Sequence, residues 1–565
     1  MMNKVLLVLF AVVIFVNAQP QDVSVAAQDL QKVWIYFKDK GPEETYFLSK
    51  PAKLVSERSL KRRMKLKTAA DLTDFYDLPV YQPYIDQISP YINRIRTISK
   101  WLNAISVEIV DSNISDIEAF DFVTGIKSVI SYKNKPPEPE YEAMSANESF
   151  ASINDLYGQS YTQLAQIQIP ALHEKGYYGQ GVLICMLDAG FNLLYDHEAF
   201  STLDIVDTWD FAEHDPDVQD DSHGTYTLSA LAGYAPGKLI GPAYQASFIL
   251  GRTEVASSET PIEEDFWIAG IEWADSCGAD LVSSSLGYYE FDDVEASYHY
   301  KELDGKTART TVAAEIAADK GILIFNSAGN EAQSSWHYII TPSDGEHVLA
   351  IAAVTDRDKR ASFSSVGPTS DGRIKPDLAA MGAYVYLASG SNSTGYVKDS
   401  GTSFSCPLAA GSGALLLSAF PNASPGDIRS ALKNTASQAF APDTLLGWGI
   451  INTLAAFNYL NGSNENSNQP VVFNLKPNFP NPFNPSTTIR YSFSRPMEVS
   501  IDIYNILGEP IKSIFIGTQE AFAEHQYTLY MPAGRSSGMY FYRVNGKDIS
   551  TGRKFRETGK MILIH

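Results

Sequence analysis

Gly401-Thr402-Ser403-Phe404-Ser405-Cys406-Pro407 runs directly into Leu408-Ala409-Ala410-Gly411-Ser412-Gly413-Ala414. A serine among small residues can stand at the tight start of a helix with its hydroxyl exposed. Pro407 suits a first turn, where a missing N–H costs little. The Ala/Gly run lets such a helix pack close to a sheet. Its N-terminus offers free N–H groups to developing negative charge. On its own, the stretch reads equally as a small-residue helix inside a core.

Two upstream segments decide between these readings. Val182-Leu183-Ile184-Cys185-Met186-Leu187 is a continuous apolar run, the pattern of a buried parallel strand, and it ends in Asp188-Ala189-Gly190. A carboxylate at the C-terminal end of such a strand is a usual functional position in open α/β sheets. Asp221-Ser222-His223-Gly224-Thr225 sets a histidine between small polar residues ahead of a helical stretch. The three residue types make a chemical set. A serine hydroxyl is a weak nucleophile until a base takes its proton. Histidine titrates near neutrality, so it can accept that proton and return it to a leaving amine. An aspartate on the other ring nitrogen fixes the tautomer and stabilises the imidazolium.

All three motifs, with their flanking residues, resemble the subtilisin-like (subtilase) serine peptidases, whose triad also runs Asp, His, Ser along the chain. The resemblance covers about Tyr157 to Leu460. It implies an α/β fold with a doubly wound parallel sheet, and Asp188, His223 and Ser403 as the catalytic residues. It also implies Asn330, after Ser327-Ala328-Gly329, as an oxyanion-hole side chain, with the Ser403 backbone N–H as second donor. Ser285-Leu286-Gly287 resembles the family's substrate-binding strand, which pairs with an extended peptide. Ala328 and Gly329 would form the opposite wall of the specificity pocket. Glycines keep such walls low, so the expected preference is for a large apolar or aromatic side chain.

The sequence departs from the family's usual pattern in places. Phe404 and Ser405 stand where Met and Ala are common, and neither is expected to touch the chemistry. Ala189 replaces a hydroxyl residue, which removes one contact to Asp188. Met381-Gly382 follows Lys375 to Ala380 where Pro-Gly is usual. The reaction needs no cofactor. Calcium commonly stabilises relatives, but Asp215-Pro216-Asp217 and Asp220-Asp221 lack the spacing of an oxygen-ligand loop and read as solvated acidic loops, so no metal site is assigned.

With 565 residues the chain is too long for one domain, and its formal net charge of −22 argues against a nucleic-acid partner. Three cysteines, Cys185, Cys277 and Cys406, exclude a disulfide framework and read as small buried residues with free thiols. Met1 to Ala18 has the short apolar run and small-residue end of a secretory signal peptide, and no later segment is apolar enough to span a membrane.

Residues 19–134 read as a small α+β unit with strands near Val33–Asp39, Trp101–Ile109 and Ile126–Tyr132. The unit resembles the inhibitory, chaperone-like propeptide of many subtilases, and would be a partner of its own enzyme. Its basic segment, Ser56 to Met64, reads as the solvated face of a helix. Residues 135–156 are rich in Pro and Glu and form a linker where processing is expected. The peptidase domain fills 157–460, and 461–473 is a polar linker. Residues 474–565 show short strands separated by turn signals, a β-sandwich pattern. Their Asn-Pro-Phe-Asn-Pro opening, Ile506-Leu507-Gly508, Gly538-Met539-Tyr540-Phe541-Tyr542 and terminal Lys560-Met561 strand resemble the C-terminal sorting domain of type IX secretion cargo.

The reading is therefore a secreted serine endopeptidase acting on polypeptides. It is made as a self-processed precursor and handed to type IX export machinery for release or attachment at the bacterial surface. The alternatives are a catalytically silent peptide-binding or adhesin scaffold, and an esterase built on the same triad.

Overall fold

The computed structural model describes residues 30–68, 71–129, 154–255, 260–291, 297–462, 473–493, 497–519, 525–532, 534–549 and 552–564. The leader expected at 1–18, and most of the segments expected at 135–156 and 461–473, lie outside the described residues.

The N-terminal region is a four-stranded antiparallel sheet. Its strands are β1 (Leu30–Phe37), β2 (Arg94–Ser99), β3 (Ala104–Val110) and β4 (Val123–Val129), in the order β2-β3-β1-β4. Alternation sorts the β1 side chains by face. Val33, Ile35 and Phe37 join Ile85, Ile88, Ile105, Val107 and Ile117 in a core under the helices Gln82–Ile88 and Ile114–Glu118. Trp34, between them, points the other way and is fully buried.

The central region holds a seven-stranded sheet: β5 (Leu183–Asp188), β6 (Asp204–Asp210), β7 (Ser247–Arg252), β8 (Leu281–Ser284), β9 (Leu323–Ser327), β10 (Val348–Val354) and β11 (Leu378–Met381). The order is β11-β10-β9-β8-β5-β7-β6, and every pairing is parallel. Parallel strands buried on both faces need no polar alternation, which is why β5 reads as an unbroken apolar run. Ile184 and Met186 enter the core beneath helix α2 (His223–Ala232) and helix α5 (Thr402–Ala419). Leu183, Cys185 and Leu187 enter the opposite core beneath α3 (Ile262–Cys277) and α4 (Arg309–Asp319). This is the doubly wound parallel sheet, with helices on both faces.

The C-terminal region is built from two antiparallel sheets. One holds Phe473–Leu475, Ser486–Phe493 and His525–Tyr530; the other holds Pro510–Gln519, Met497–Tyr504, Gly538–Asp548 and Lys554–Leu563. Ile489, Tyr491, Val499, Ile501, Tyr542 and Val544 share one core between them. The strand Pro510–Gln519 goes beyond the sequence reading. It is half-exposed along its length, so its apolar signal is weak.

The basic N-terminal segment is not a solvated face. Helix α1 (Glu57–Arg63) buries Ser59, Arg62 and Arg63 against the central region. The Arg62 guanidinium bonds Asp275 and donates to the carbonyls of Ala279 at 2.6 Å and Lys320 at 3.1 Å. Arg63 is a fork between two carboxylates, donating to Asp77 at 2.7 and 2.8 Å and to Asp275 at 2.7 Å. Three more contacts continue along α3. Trp34 Nε1 donates to Asp265 Oδ1 at 2.6 Å, Ser106 Oγ to Asp265 Oδ2 at 2.7 Å, and the Trp101 N–H to Glu272 Oε1 at 3.2 Å. The acidic face of α3 is thus covered by donors from the N-terminal region.

Candidate active site

β5 carries Asp188 to the C-terminal edge of the sheet, beside Arg252 at the end of β7. Helix α2 begins at His223. The loop after β5 and the start of α2 close on each other because each presents a glycine. A Cβ on Gly224 would lie 2.2 Å from the Gly190 carbonyl oxygen, and one on Gly190 would lie 2.3 Å from the Asp221 nitrogen. This approach brings the carboxylate and the imidazole together.

His223 Nδ1 donates to Asp188 Oδ1 at 2.6 Å. The carboxylate only accepts, so Nδ1 carries the hydrogen and Nε2 is left to act as a base. The Ala189 N–H donates to the same oxygen at 2.8 Å. Thr227, four residues after His223 on α2, donates its hydroxyl to Asp188 Oδ2 at 2.8 Å. That hydroxyl replaces the one absent at Ala189. Its i, i+4 spacing from His223 is the sequence signal that could have found it. Burial of His223 favours the neutral ring. The Asp188 carboxylate, with Asp221 and Asp399 further out, outweighs it and holds the histidine above its ordinary value. Asp188 is 1 % exposed, while the His223 side chain is 31 % exposed.

Helix α5 presents Ser403. From Gly401 to Leu417 it is the one residue that is not buried. Pro407 lies beyond the first turn, at the sixth residue of the helix. A proline there removes the N–H that would bond the Ser403 carbonyl four residues earlier. That carbonyl instead accepts from Ser285 Oγ at 2.7 Å. Ser403 Oγ in turn donates to the Ser285 carbonyl at 3.3 Å, so its hydroxyl rests on the segment that follows β8 rather than on His223. The proline thus ties the helix start to the segment Ser285-Leu286-Gly287 after β8.

Phe404 does touch the site, against expectation. Its ring centroid is 6.1 Å from that of His223 at 38°, and it also packs edge-on to Tyr226. An aromatic here walls in the imidazole from the α5 side. Asn330, exposed three residues beyond the end of β9, is oriented by Thr402. Its Oδ1 accepts the Thr402 N–H at 2.9 Å and the Thr402 hydroxyl at 3.0 Å. A backbone N–H can bond only the oxygen of the amide, so the Asn330 NH₂ group is turned away from Thr402. The Gly329 N–H also donates to Thr402 Oγ1, at 3.2 Å, which fixes the Ala328-Gly329 segment to the start of α5.

The three cysteines form no disulfide. Cys406 lies behind Ser403 with its thiol pushed up to about 12 by burial, which keeps it an unreactive filler. The carboxylates of the acidic loops are engaged by the protein's own donors. Asp220 bonds Arg252, Asp221 accepts the His223 N–H at 2.7 Å, and Asp215 accepts the Asp217 N–H at 2.8 Å. Among the described residues no three His, Cys, Asp or Glu side chains converge as metal ligands. No helix among them is long and apolar enough to cross a membrane.

Three stretches of the chain match known family models. Residues 179–449 match the family model described as "Subtilase family". Residues 32–144 match "Peptidase S8 propeptide domain, Bacteroidota", and 478–556 match "Secretion system C-terminal sorting domain". Subtilisin NAT of Bacillus subtilis subsp. natto is 31 % identical over 305 residues, covering 53 % of this chain and 72 % of its own. Subtilisin of Bacillus pumilus is 31 % identical over 297 residues, covering 52 % of this chain and 97 % of its own. Among solved structures, MycP1 with its N-terminal propeptide removed is 21 % identical, with a TM-score of 0.43 and coverage of 52 % of this chain and 96 % of that one.

Proposed function

This chain belongs to the subtilase family, and from that premise we propose how its residues divide the work of peptide-bond hydrolysis. The protein is a secreted subtilisin-like serine endopeptidase, made with a propeptide and a C-terminal sorting domain. Ser403 Oγ is the nucleophile. When a peptide lies along Ser285-Leu286-Gly287, the hydroxyl leaves the Ser285 carbonyl and gives its proton to His223 Nε2 as the oxygen attacks the scissile carbonyl carbon. Asp188 holds the imidazolium that forms. The Asn330 NH₂ group and the Ser403 N–H receive the oxyanion. Collapse breaks the C–N bond, and His223 passes the proton to the leaving amine. Water then repeats the sequence on the acyl-enzyme, regenerating Ser403. None of these steps calls for a metal.

The observation that carries this reading is the 2.6 Å bond from His223 to a buried Asp188 that leaves Nε2 free, at the edge where Ser403 is the one residue from Gly401 to Leu417 that is not buried. Asn330→Ala should lower kcat about 10²–10³-fold, the loss of one preorganised donor. The N-terminal region acts as the inhibitory propeptide, held on α3, and leaves after a cut in the 135–156 segment. The substrates are polypeptides.

Purified precursor and its Ser403→Ala form, incubated and followed by intact mass alongside casein degradation, test the whole assignment. The Ser403 form should lose its first hundred or so residues and degrade casein, while the variant stays whole and inert. Equal behaviour of the two would remove Ser403 from the chemistry.

A further inference from the structure

The two segments assigned to the specificity pocket are joined by a third. Ser285-Leu286-Gly287 continues from β8 and Ala328-Gly329 from β9. The Ile340 N–H donates to the Ala328 carbonyl at 3.3 Å, and Tyr288 and Thr341 exchange both backbone hydrogen bonds at 2.9 and 3.1 Å. Residues 340–341 therefore bridge the two walls. The Ile340 side chain lies between their glycines: a Cβ on Gly287 would sit 2.5 Å from Ile340 Cδ1, and one on Gly329 would sit 3.2 Å from the same atom. Those glycines keep the walls low, but the room they leave is taken by a branched side chain. Ile340 keeps 8 % of its surface exposed, so its neighbours do not seal it completely.

The slot is also braced so that it resists widening. Tyr289, two residues beyond Gly287, donates its hydroxyl to Glu331 Oε2 at 2.8 Å, two residues beyond Gly329. The Tyr289 ring packs on Trp336 with centroids 5.0 Å apart. A large substrate side chain would have to displace Ile340 from contacts on both sides, because a close-packed site does not accept extra methylenes without strain.

We propose that Ile340 is a specificity-determining residue that closes the bottom of the primary pocket, so the enzyme cleaves after small residues such as Ala or Ser rather than after large apolar or aromatic ones. The inference rests on the peptidase reading above, and reverses the preference that low glycine walls suggest.

Enzyme matured from the full-length chain, assayed on tetrapeptide p-nitroanilides that differ only in the residue before the scissile bond (Ala, Ser, Val, Leu, Phe), tests it. The wild type should favour Ala over Phe in kcat/KM by about tenfold or more. Ile340→Gly should raise the Phe/Ala ratio by at least about tenfold, and Ile340→Ala by a smaller factor in the same direction. The Ala variant, checked by its thermal transition, covers the case in which Gly loosens the fold. A wild type that prefers Phe, or a ratio that neither variant moves, would overturn the role of Ile340 and leave the peptidase reading intact. No turnover of any substrate, together with no labelling of Ser403 by a fluorophosphonate, would refute that reading and the inference with it.

Discussion

Asp188 and Asp275 are both buried to within 1 % of complete enclosure, yet the molecule compensates them by opposite means. Asp188 is held by one imidazole, one hydroxyl and one backbone N–H. Only the imidazole can carry charge, and it is the partner that reaches solvent. Asp275 lies between the guanidiniums of Arg62 and Arg63, which are 1 % exposed or less. Burial alone would raise its pKa, but those two cations hold it well below the usual carboxylate range. A guanidinium keeps its proton under all working conditions. One arrangement therefore keeps a proton mobile, and the other makes a fixed ion cluster, with Asp77 as the second carboxylate on Arg63, that lasts as long as the N-terminal region stays docked. The same desolvation cost yields a catalytic device in one place and a latch in the other, according to whether the partner can titrate.

The comparison breaks most visibly at Asp188→Asn. If the carboxylate is needed to set the tautomer as well as to balance charge, kcat on a peptide p-nitroanilide should fall about 10⁴-fold while the thermal transition moves little. At Asp275→Asn the effects should exchange. In the uncleaved Ser403→Ala precursor, breaking the buried pair should cost about 3–5 kcal/mol in the denaturant-induced separation of the N-terminal region. The mature enzyme, which has shed Arg62 and Arg63, should keep its kcat/KM within about twofold. A large loss of catalysis there would merge the two sites into one.

Thr227→Val sharpens the catalytic half. Leaving Asp188 Oδ2 without its hydroxyl should lower kcat/KM about tenfold, the worth of one hydrogen bond to a charged group. The smallest effect is on pH. Neutral His223 is the base, so kcat/KM falls as pH drops through its pKa, and the raised value places that midpoint above the ordinary histidine range. Asp399→Asn removes one negative charge that favours the imidazolium, so the midpoint should move down by a few tenths of a pH unit, less so in high salt. A midpoint unchanged by Asp399→Asn at low salt would remove that residue from the electrostatics of the site.

Several of these features were legible in residue order alone. The apolar run of β5, the glycines beside Asp188 and His223, and the small residues around Ser403 are local necessities of strand burial and close loop approach. Their spacing therefore survives as a pattern. The burial of Arg62 and Arg63 is not legible in residue order, because a basic helix has the same pattern whether water or an acidic helix faces it. Asp275, which settles the matter, is more than two hundred residues away. Pro407 was read as a first-turn residue because the exact start of a helix depends on its cap. The donor that satisfies the freed carbonyl, Ser285, lies in the segment after β8, more than a hundred residues away. Phe404 was set aside because its contact with His223 is made between two helices, α2 and α5.

The reaction class, the fold and the chain order of the reacting groups were accessible from residue order, through motifs that resemble the subtilases and through apolar periodicities within single elements. Which charges are buried, that Thr402 turns the Asn330 amide, and that Ile340 stands between Gly287 and Gly329 emerge only once the elements pack. These depend on distances across elements, where a shift of an ångström separates an open pocket from a filled one.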